Sequence, residues 1–366
     1  MFNDNYFHPT VMEINLNNFK NNIEEIKKIT NNTEIMPIIK ANGYGTYINT
    51  RLDILNMFNI VAVACPSEGI FLRKLGYKKE IFILNEPYYE DIENIIKYKL
   101  AIGVSDKDFI DKLGKHKSKV KVHIEIDTGM GRTGIQKEDT KEFIDYLKKY
   151  KNIIIEGIYT HLSSADTDDK YTKLQLDNFN YAVNIAKKEL PALKYIHAAS
   201  SNGILNYKES YYNLVRPGKI IYGYSLNKKN ENKKMNLKPV AVLKTKITFL
   251  KTVPKNTSIS YGRTFITKKE TKIATLPIGY ADGLPRSLGN NYHLLLNNQK
   301  VKIIGTICMD SIMIDVTNVK DVKLYDTVYI WDNNLLTIEM LAEKAKTIPS
   351  EILSRISPRI PRKFID

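Results

Sequence analysis

The sequence contains few of the residues that stabilise secreted or metal-binding proteins. Only two of its 366 residues are cysteines, Cys65 and Cys308, so neither a disulfide framework nor a zinc site of the usual spacing is expected. No stretch approaches the roughly 20 consecutive apolar residues of a membrane helix, and residues 1–10 lack the basic and apolar regions of a signal peptide. These absences predict a cytoplasmic protein with no membrane partner and no metal.

Acidic residues are outnumbered, 40 against 55 lysines and arginines, which gives a net charge of +15. The lysines are spread over amphipathic segments instead of forming one run, which favours a solvated surface over a nucleic-acid interface. A small anionic ligand is compatible with this charge. The length suits one large domain and a smaller one, and a hydrophobic content of 43% is ample for their cores.

Between residues 34 and 220, short β-branched runs alternate with helical patterns, several of which open on a serine or aspartate suited to an N-cap. In chain order the predicted strands read IMPIIK, IVAVAC, EIFILN, LAIGVS, VKVHIEID, IIIEGIYTH, KYIHA and NLVRP. Eight strand and helix units in succession indicate a (β/α)8 barrel of the TIM type. A further helix is predicted before the first strand, from the spacing of Leu16, Phe19, Ile23 and Ile26.

The pattern changes beyond residue 225. The polar stretch LNKKNENKKMNLKP predicts a linker, and the segments that follow it are rich in strand-forming residues. We therefore predict an α/β protein with two domains. Residues 1–235 are predicted to form the barrel, and residues 236–366 are predicted to form a mainly β domain.

Polar residues stand where the predicted barrel strands end. These are Lys40, Arg132, His161 and Arg216, and the catalytic groups of TIM-type barrels lie at such strand ends. Each residue alone is more often structural, but the loops after the seventh and eighth strands also contain serine and glycine, where barrels commonly bind phosphate. A reactive lysine opposite a phosphate site is the layout that pyridoxal phosphate (PLP) requires.

The motif IIKANGYG, which contains Lys40, resembles the cofactor-lysine motif of the PLP-dependent alanine racemases, in which PLP binds a barrel of this type (fold-type III). The similarity continues through IDTGMGRTGI, THLSSAD, VRPGKIIYG, SYGRTF, PIGYADGLPR, GTICMDSIMID and RISPRIPR. Each motif alone is weak evidence, but together they follow the family's order along nearly the whole chain.

The resemblance implies that Lys40 and Tyr261 are the two catalytic bases and that Tyr261 acts in the other subunit of a head-to-tail homodimer. Lys40 also holds the cofactor, and Arg216, braced by His161, faces its pyridine nitrogen. The other implied cofactor contacts are Tyr44, His161, Ser201, Gly218 and Lys219. The implied substrate contacts are Arg132 and Met309. The implied supporting and access positions are Glu125, Asp166, Tyr280, Arg286, Thr306, Ile348 and Ser350.

Three of these positions depart from the family pattern. Glu125 stands where many members carry a carbamylated lysine, and we hypothesise that its carboxylate orients Arg132 in that lysine's place. Ser350 replaces a tyrosine near the substrate side chain, and Thr306 replaces an arginine of the access corridor. The resemblance therefore predicts an amino-acid racemase with alanine as the first candidate substrate and serine or a broader set as the alternative.

Two other classes share the PLP-binding barrel. The basic amino-acid decarboxylases usually place an acid against the pyridine nitrogen, and Arg216 argues against them. The non-catalytic PLP-binding barrels have no second domain, so residues 236–366, with Tyr261, argue against that class.

Overall fold

The structure is a computed structural model that describes residues 8–224 and 235–366. The chain divides into two compact units. One contains residues 21–43 and 47–224 with 235–237, and the other contains residues 8–20, 44–46 and 238–366. We call them the barrel unit and the β unit and describe each by itself.

The first strand and the first helix are β1 (Val11–Asn15) and α1 (Leu16–Ile29). The Asn15 side chain accepts a hydrogen bond from the backbone N–H of Asn18 at 2.7 Å, as an N-cap residue does. Phe19, Ile23 and Ile26 are fully buried along one face of α1. The helix predicted before the first barrel strand is therefore confirmed.

The barrel unit is built on eight parallel strands, one for each predicted run. They are β2 (Glu34–Ile35), β3 (Ile60–Val63), β4 (Glu80–Ile83), β5 (Ala101–Val104), β6 (Val120–Glu125), β7 (Ile153–Tyr159), β8 (Tyr195–His197) and β9 (Leu214–Val215). Strands β3 to β8 form one sheet in chain order, and β2 pairs with β9. A parallel bridge between Ile38 and Ala62 joins β2 to β3, and a hydrogen bond from Arg216 N to Ala199 O (2.9 Å) joins β9 to β8. The predicted barrel is confirmed.

Helices follow most barrel strands. They are α2 (Lys40–Tyr44), which is a left-handed turn at residues 41–43, α3 (Leu52–Leu55), α4 (Pro66–Leu75), α5 (Ile92–Lys97), α6 (Lys107–Gly114), α7 (Thr140–Leu147), α8 (Asp169–Glu189) and α9 (Ser201–Asn206). Strands β3 and β5 are buried at every residue, because a parallel barrel is covered on both faces. This burial is why their sequences are continuous apolar runs without the alternation of a half-exposed strand.

The β unit contains the remaining strands and two helices. The strands are β10 (Ala241–Lys246), β11 (Phe249–Val253), β12 (Ser258–Ile259), β13 (Phe265–Ile266), β14 (Thr271–Leu276), β15 (His293–Leu296), β16 (Gln299–Lys302), β17 (Ile312–Asp315), β18 (Thr327–Trp331) and β19 (Arg362–Ile365). The helices are α10 (Ile338–Lys344) and α11 (Pro349–Arg355). A six-stranded sheet has the order β16-β15-β18-β10-β1-β19, and β11-β14-β17 form a second sheet.

The first strand lies in the β unit, whereas the sequence analysis assigned residues 1–235 to the barrel domain. Strand β1 pairs antiparallel with β10 and parallel with β19, so the first strand completes the sheet of the β unit. Its alternating half-buried pattern suits a place in that sheet. Most of the predicted linker lies outside the described residues. Within the described ranges, no helix has both the length and the apolar character needed to cross a membrane.

Candidate active site

Lys40 stands at the start of a left-handed turn after the first barrel strand. Residues 41–43 have φ angles of 52°, 53° and 61°, a conformation that is uncommon outside glycine and is found often at functional sites. The Glu68 carboxylate accepts a hydrogen bond from the backbone N–H of Ala41 at 2.6 Å and a second from that of Ala64 at 2.8 Å. Glu68, in the first turn of α4, therefore fixes the backbone next to Lys40.

The Lys40 amine lies in an environment that disfavours its charge. Burial lowers the pKa of Lys40, and the Arg132 guanidinium lowers it further, whereas the Glu68 carboxylate opposes the shift. A neutral amine is the form that attacks a carbonyl or accepts a proton. The site thus favours the reactive form of this lysine.

Arg216, at the end of β9, is 3% exposed and uses both terminal nitrogens inside the barrel. Its Nη1 donates to Nδ1 of His197 (2.7 Å) and to that residue's carbonyl oxygen (2.8 Å). Its Nη2 donates to the carbonyl oxygens of Thr160 (2.7 Å) and Ala198 (3.2 Å). The Nε–H group makes no hydrogen bond within the described part of the chain. Burial lowers the pKa of Arg216 to about 10, so it stays a cation at neutral pH.

The bracing hydrogen bond to Arg216 comes from His197, and the role predicted for His161 was wrong in this respect. No hydrogen bond joins His161 to Arg216 among the described residues. Burial and the positive charges of Arg216 and Arg132 lower the pKa of His161 to about 3, so its imidazole is neutral at working pH. His161 therefore lies near the arginines as an uncharged polar group, and its predicted contact with the cofactor stays a prediction.

The loops after β8 and β9 come together as predicted for a phosphate site. The Ser201 hydroxyl, at the start of α9, accepts hydrogen bonds from the backbone N–H of Gly218 (3.0 Å) and of Ile220 (3.5 Å). Burial lowers the pKa of Lys219, and the Asp166 carboxylate opposes that shift. Ser201, Gly218, Lys219 and Asp166 thus belong to one region of the barrel unit. Tyr44 belongs to the β unit, and burial raises its pKa to about 12.

Arg132 is held on a compact loop between β6 and α7. The Asp127 carboxylate accepts hydrogen bonds from the backbone N–H groups of Gly129 and Gly131, both at 3.0 Å, and so closes the loop. Arg132 is exposed and makes no hydrogen bond within the described ranges. Its guanidinium is therefore available to an anionic ligand.

Glu125, at the end of β6, does not bond Arg132 directly. Its Oε2 accepts a hydrogen bond from the Tyr159 hydroxyl at 2.9 Å. Burial raises the pKa of Glu125, and hydrogen bonds from Tyr159 and Thr133 partly offset that effect. Glu125 thus contacts the residue that follows Arg132 and interacts with the Arg132 charge without a hydrogen bond to it, and its hypothesised orienting role stays a prediction.

In the β unit, Tyr261 projects from a strained turn. Ser260 and Arg263, on either side of it, have φ angles of 64° and 50°. The Thr306 hydroxyl donates to the Tyr261 carbonyl oxygen at 3.0 Å, and the Ser260 hydroxyl donates to the Thr306 carbonyl oxygen at 2.5 Å. A Cβ on Gly305 would lie 2.7 Å from the Ser260 Cβ, so this close approach requires glycine. The turn is rigid, although the Tyr261 side chain is 70% exposed.

The other predicted positions of the β unit are also on its surface or close to it. Tyr280 donates its backbone N–H to the Cys308 carbonyl oxygen at 3.0 Å, beside Met309. A depression of about 480 Å³ is lined by Ser260, Tyr261, Cys308, Met309, Asp310 and Ser311. Arg286 begins the short 3₁₀ turn Arg286–Leu288, Ile348 precedes α11, and Ser350 lies in its first turn. The structure brings Tyr261 and Met309 together in this depression, with Tyr280 and Thr306 bonded to its lining residues. Arg286, Ile348 and Ser350 do not line it.

Comparison with known proteins identifies the family of the chain. Residues 14–226 match the family model for the alanine racemase N-terminal domain, and residues 240–364 match that for the alanine racemase C-terminal domain. The chain belongs to the alanine racemase family. Members of this family are PLP-dependent, which agrees with the cofactor lysine and the phosphate site that the sequence predicts for the barrel unit.

Relatives of this family match over nearly the whole chain. Alanine racemase 2 of Caldanaerobacter subterraneus subsp. tengcongensis is 38% identical over 369 residues, which cover 98% of this chain and 95% of that protein. The alanine racemase of Methanococcus maripaludis is also 38% identical, over 98% of this chain and 99% of that one. Among solved structures, alanine racemase from Bacillus anthracis, with bound L-Ala-P, superposes with a TM-score of 0.92 at 32% identity and covers 99% of this chain and 96% of that one.

Sequence reasoning missed three residues that support the barrel site. These are Glu68, Tyr159 and His197. His197 is the last residue of β8, so the rule that located Lys40 and His161 at strand ends applied to it equally. Tyr159 lies two residues before His161 in the same strand run, where the alternation of a strand places both on one face. Glu68 carried no local signal, because its partner Ala41 is 27 residues away in the sequence.

Proposed function

We propose that the protein is a PLP-dependent racemase that interconverts L- and D-alanine. Family membership supports the reaction class, and the barrel unit supports the cofactor. The observation that carries the proposal is Arg216, a buried cation whose four terminal N–H groups are taken by the protein and whose Nε–H is left to donate. A donor that stays protonated suits an acceptor such as a neutral pyridine nitrogen.

The residues of the barrel unit fit PLP. Lys40 would hold the aldehyde as a buried amine with a lowered pKa, and Ser201 with the backbone at Gly218 and Lys219 would hold the phosphate. Tyr44 is proposed as a further phosphate contact. When bound, the cofactor supplies an electron-accepting ring that stabilises the negative charge left on the substrate α-carbon.

Racemisation requires a proton to leave one face of the α-carbon and another to arrive on the opposite face. We propose Lys40 and Tyr261 for these two roles. Arg132, exposed on its loop, and the backbone at Met309 would hold the substrate carboxylate. In a head-to-tail homodimer the partner would supply the tyrosine, and the 70% exposure of Tyr261 supports this arrangement. A cytoplasmic location, inferred from the sequence alone, completes the proposal.

Arg216 also bears on which reaction follows proton removal. A guanidinium does not readily give up its proton, so Arg216 would leave the pyridine nitrogen of a bound cofactor unprotonated. This arrangement would favour return of a proton to the α-carbon, and therefore racemisation, over decarboxylation or transamination. The four hydrogen bonds that hold Arg216 preserve this arrangement.

Serine is the second candidate substrate, because Ser350 replaces a bulky residue of the family near the substrate side chain. Thr306 adds less to this argument than the sequence implied, since its hydroxyl donates to the carbonyl oxygen of Tyr261. We therefore expect alanine to be used best and serine to be turned over measurably.

A chiral assay of the purified protein tests the proposal. The protein is incubated with PLP and, separately, with L-alanine, L-serine, L-lysine and L-arginine, and both enantiomers and any amine product are quantified. We expect D-alanine to accumulate until the two enantiomers are equal, with no amine from lysine or arginine. A protein that binds PLP, as judged by its visible absorption, but racemises none of these amino acids would contradict the proposal.

A further inference from the structure

A second polar cluster lies at the opposite end of the barrel from Lys40. It contains Glu80, Lys121, His123, Glu156 and Lys194, which we call the base cluster. Glu80 begins β4, Lys121 is the second residue of β6 and His123 its fourth, and Lys194 immediately precedes β8. The N-terminal ends of barrel strands ordinarily serve stability. The hydrogen bonds that leave this cluster, however, lead toward the proposed active site.

The outer side of the base cluster is neutralised by its two lysines. Lys121 Nζ lies 2.6 Å from Oε2 of Glu80 and 2.8 Å from Oε1 of Glu156. Lys194 Nζ lies 3.4 Å from the same Glu156 oxygen. Burial alone would raise the pKa of the Glu156 carboxyl, but His123 and Lys121 hold it well below its usual range. Glu156 is therefore an anion at working pH.

The inner side of the cluster contains three buried polar atoms that face one another. They are Glu80 Oε1, His123 Nε2 and Glu156 Oε2, none with a hydrogen-bond partner in the described ranges. The three side chains are close enough that one nitrogen or oxygen of each lies within 4.8 Å of the other two. The His123 side chain is completely buried, and its Nε2 lies 4.0 Å from Glu156 Oε2. A water within reach of all three would accept one hydrogen and donate two, as buried waters commonly do.

His123 connects this cluster to Arg216 through one further imidazole. Its Nδ1 lies 2.8 Å from Nε2 of His197, whose Nδ1 lies 2.7 Å from Nη1 of Arg216. Both histidines are fully buried, and burial lowers the pKa of each, so both rings are neutral. A row of ring nitrogens thus runs from the guanidinium toward the carboxylates at the barrel base and ends at His123 Nε2, 4.0 Å from Glu156 Oε2.

The chemistry of the two ends fixes where each hydrogen lies. A guanidinium can only donate, so Nδ1 of His197 accepts and the hydrogen of that ring is on Nε2. That hydrogen is donated to Nδ1 of His123, which places the second ring's hydrogen on its own Nε2. Every group in the row therefore donates away from the cation and toward the anion Glu156, an orientation that both charges favour.

We propose that His123 and Glu156 are positioning residues for Arg216. The Glu156 carboxylate holds the His123 hydrogen on Nε2, and the two imidazoles transmit this orientation, so that His197 always presents an acceptor to the arginine. The guanidinium plane is thereby held with its Nε–H directed away from these partners. The inference depends on the proposed function in one respect only, namely that the Arg216 Nε–H group donates to the pyridine nitrogen of PLP.

The same reasoning excludes a cation as the ligand of the base cluster. A metal at His123 Nε2 would need the lone pair there, which would place the hydrogen on Nδ1. His197 would then have to accept at Nε2 and carry its hydrogen on Nδ1, opposite an N–H of Arg216. Two donors would face each other at 2.7 Å, a distance suited only to a donor and an acceptor.

The packing around the two rings keeps this row in place. The His123 ring stacks on Phe82 with centroids 4.5 Å apart, and the His197 ring stacks on Tyr159 at 5.0 Å with an interplanar angle of 3°. A Cβ on Gly157 would lie 2.7 Å from Nδ1 of His123, so the contact between the imidazoles depends on that glycine. This packing fixes the position of both rings, and the charges of Arg216 and Glu156 at the two ends of the row determine which tautomer each ring adopts.

The test is to observe the ring hydrogens directly in the holoenzyme. In protein with ¹⁵N-labelled histidine rings, long-range ¹H–¹⁵N correlations distinguish a nitrogen that bears hydrogen from one that does not. We expect His123 and His197 both to carry hydrogen on Nε2. Glu156→Gln keeps the shape of that side chain but removes the charge that attracts the His123 Nε2 hydrogen. Because Arg216 still requires an acceptor, we expect both hydrogens to stay on Nε2 while the ring ¹H and ¹⁵N signals shift. We expect kcat for alanine to fall about tenfold, as for a lost outer partner of an active-site histidine.

Lys121→Gln is the matched control within the cluster. It removes a lysine that pairs with both carboxylates, but Lys194 remains 3.4 Å from Glu156 Oε1 and His123 still faces that carboxylate, so Glu156 stays an anion. Melting should occur at lower temperature, and the ring signals should shift much less than in Glu156→Gln. Hydrogen on Nδ1 of either histidine in the unaltered protein would overturn the proposal. So would unchanged signals and kcat in Glu156→Gln, or equal changes in Lys121→Gln. If the row is as described but no amino acid is racemised, the proposed function fails and the hydrogen-bonded row stands.

Discussion

The two proposed catalytic regions are supported in opposite ways. Arg216 is 3% exposed, and four hydrogen bonds to backbone and imidazole hold its guanidinium. Tyr261 is 70% exposed, and only the backbone of its turn is held, through Thr306 and Ser260. The barrel unit therefore supplies the hydrogen-bond partners of its buried cation from within its own fold. In the β unit the backbone of the turn is held, but the Tyr261 phenol is exposed.

This difference has a functional consequence. A buried cation needs every partner within its own fold, because an unpaired charge in the barrel would be costly. An exposed tyrosine on a strained turn is stable enough alone but has few groups around it to change its chemistry. We infer that another surface provides the groups that surround the Tyr261 hydroxyl during the reaction. In the proposed homodimer that surface is the barrel of the partner subunit.

Mixing two inactive variants tests this inference with the largest expected effect. Lys40→Arg keeps a cation but provides no neutral amine, and Tyr261→Phe removes one base, so each should lose about 10²- to 10⁴-fold or more in kcat. Suppose that each active site combines Lys40 of one chain with Tyr261 of the other. Unfolding and refolding an equal mixture of the two variants then creates heterodimers in which one of the two sites has both residues intact. Activity should then return to about a quarter of the unaltered level, because half of the random pairs are mixed.

The control for this experiment is Tyr325→Phe, a change at a tyrosine that is 65% exposed and outside the proposed site. Tyr325→Phe should leave the racemisation rate unchanged. When it is mixed with Lys40→Arg, the activity of the mixture should equal the activity of the Tyr325→Phe chains that it contains. A mixture of the two inactive variants that stays inactive, with heterodimers demonstrated by mass, would show that lysine and tyrosine of one chain act together.

The barrel was predictable because its strands are apolar on both faces and its helices carry clear caps and periodic patterns. Lys40 and Arg216 were found because they follow such strands directly. The connection from Arg216 to Glu156 was not predictable, since it runs across the barrel through side chains that are 19 and 74 residues apart in the sequence. The place of β1 was missed for a similar reason: its partner strands are near the other end of the chain.

A smaller effect is expected where the barrel site departs from its family. In Glu125→Gln the carboxylate that receives the Tyr159 hydroxyl loses its charge, although its shape is kept. We expect about a tenfold lower kcat/KM for alanine, mostly through KM, because the negative charge of Glu125 attracts Arg132, which is proposed to bind the substrate carboxylate. Glu142→Gln, at an exposed carboxylate paired with Lys107, is the control and should behave as the unaltered protein. Unchanged kinetics in Glu125→Gln would refute the orienting role.

The smallest expected effect concerns stability and distinguishes the buried site from the surface. Burial and two arginines lower the pKa of His161 from 6.5 to about 3, so between these values the unfolded chain binds a proton that the native protein does not. The free energy of unfolding therefore falls as pH falls through this window, by about 2 kcal/mol between pH 8 and pH 5 from this residue. In His161→Gln that share disappears, and urea unfolding at the two pH values should show a smaller decline than in the unaltered protein. His116→Gln, at a surface histidine 3.5 Å from Glu93, should retain the full decline. Equal declines in all three proteins would mean that His161 is protonated in the native state at the lower pH. The buried surroundings of His161 would then not suppress its charge, and the contrast drawn here between the barrel site and the exposed Tyr261 turn would be weaker.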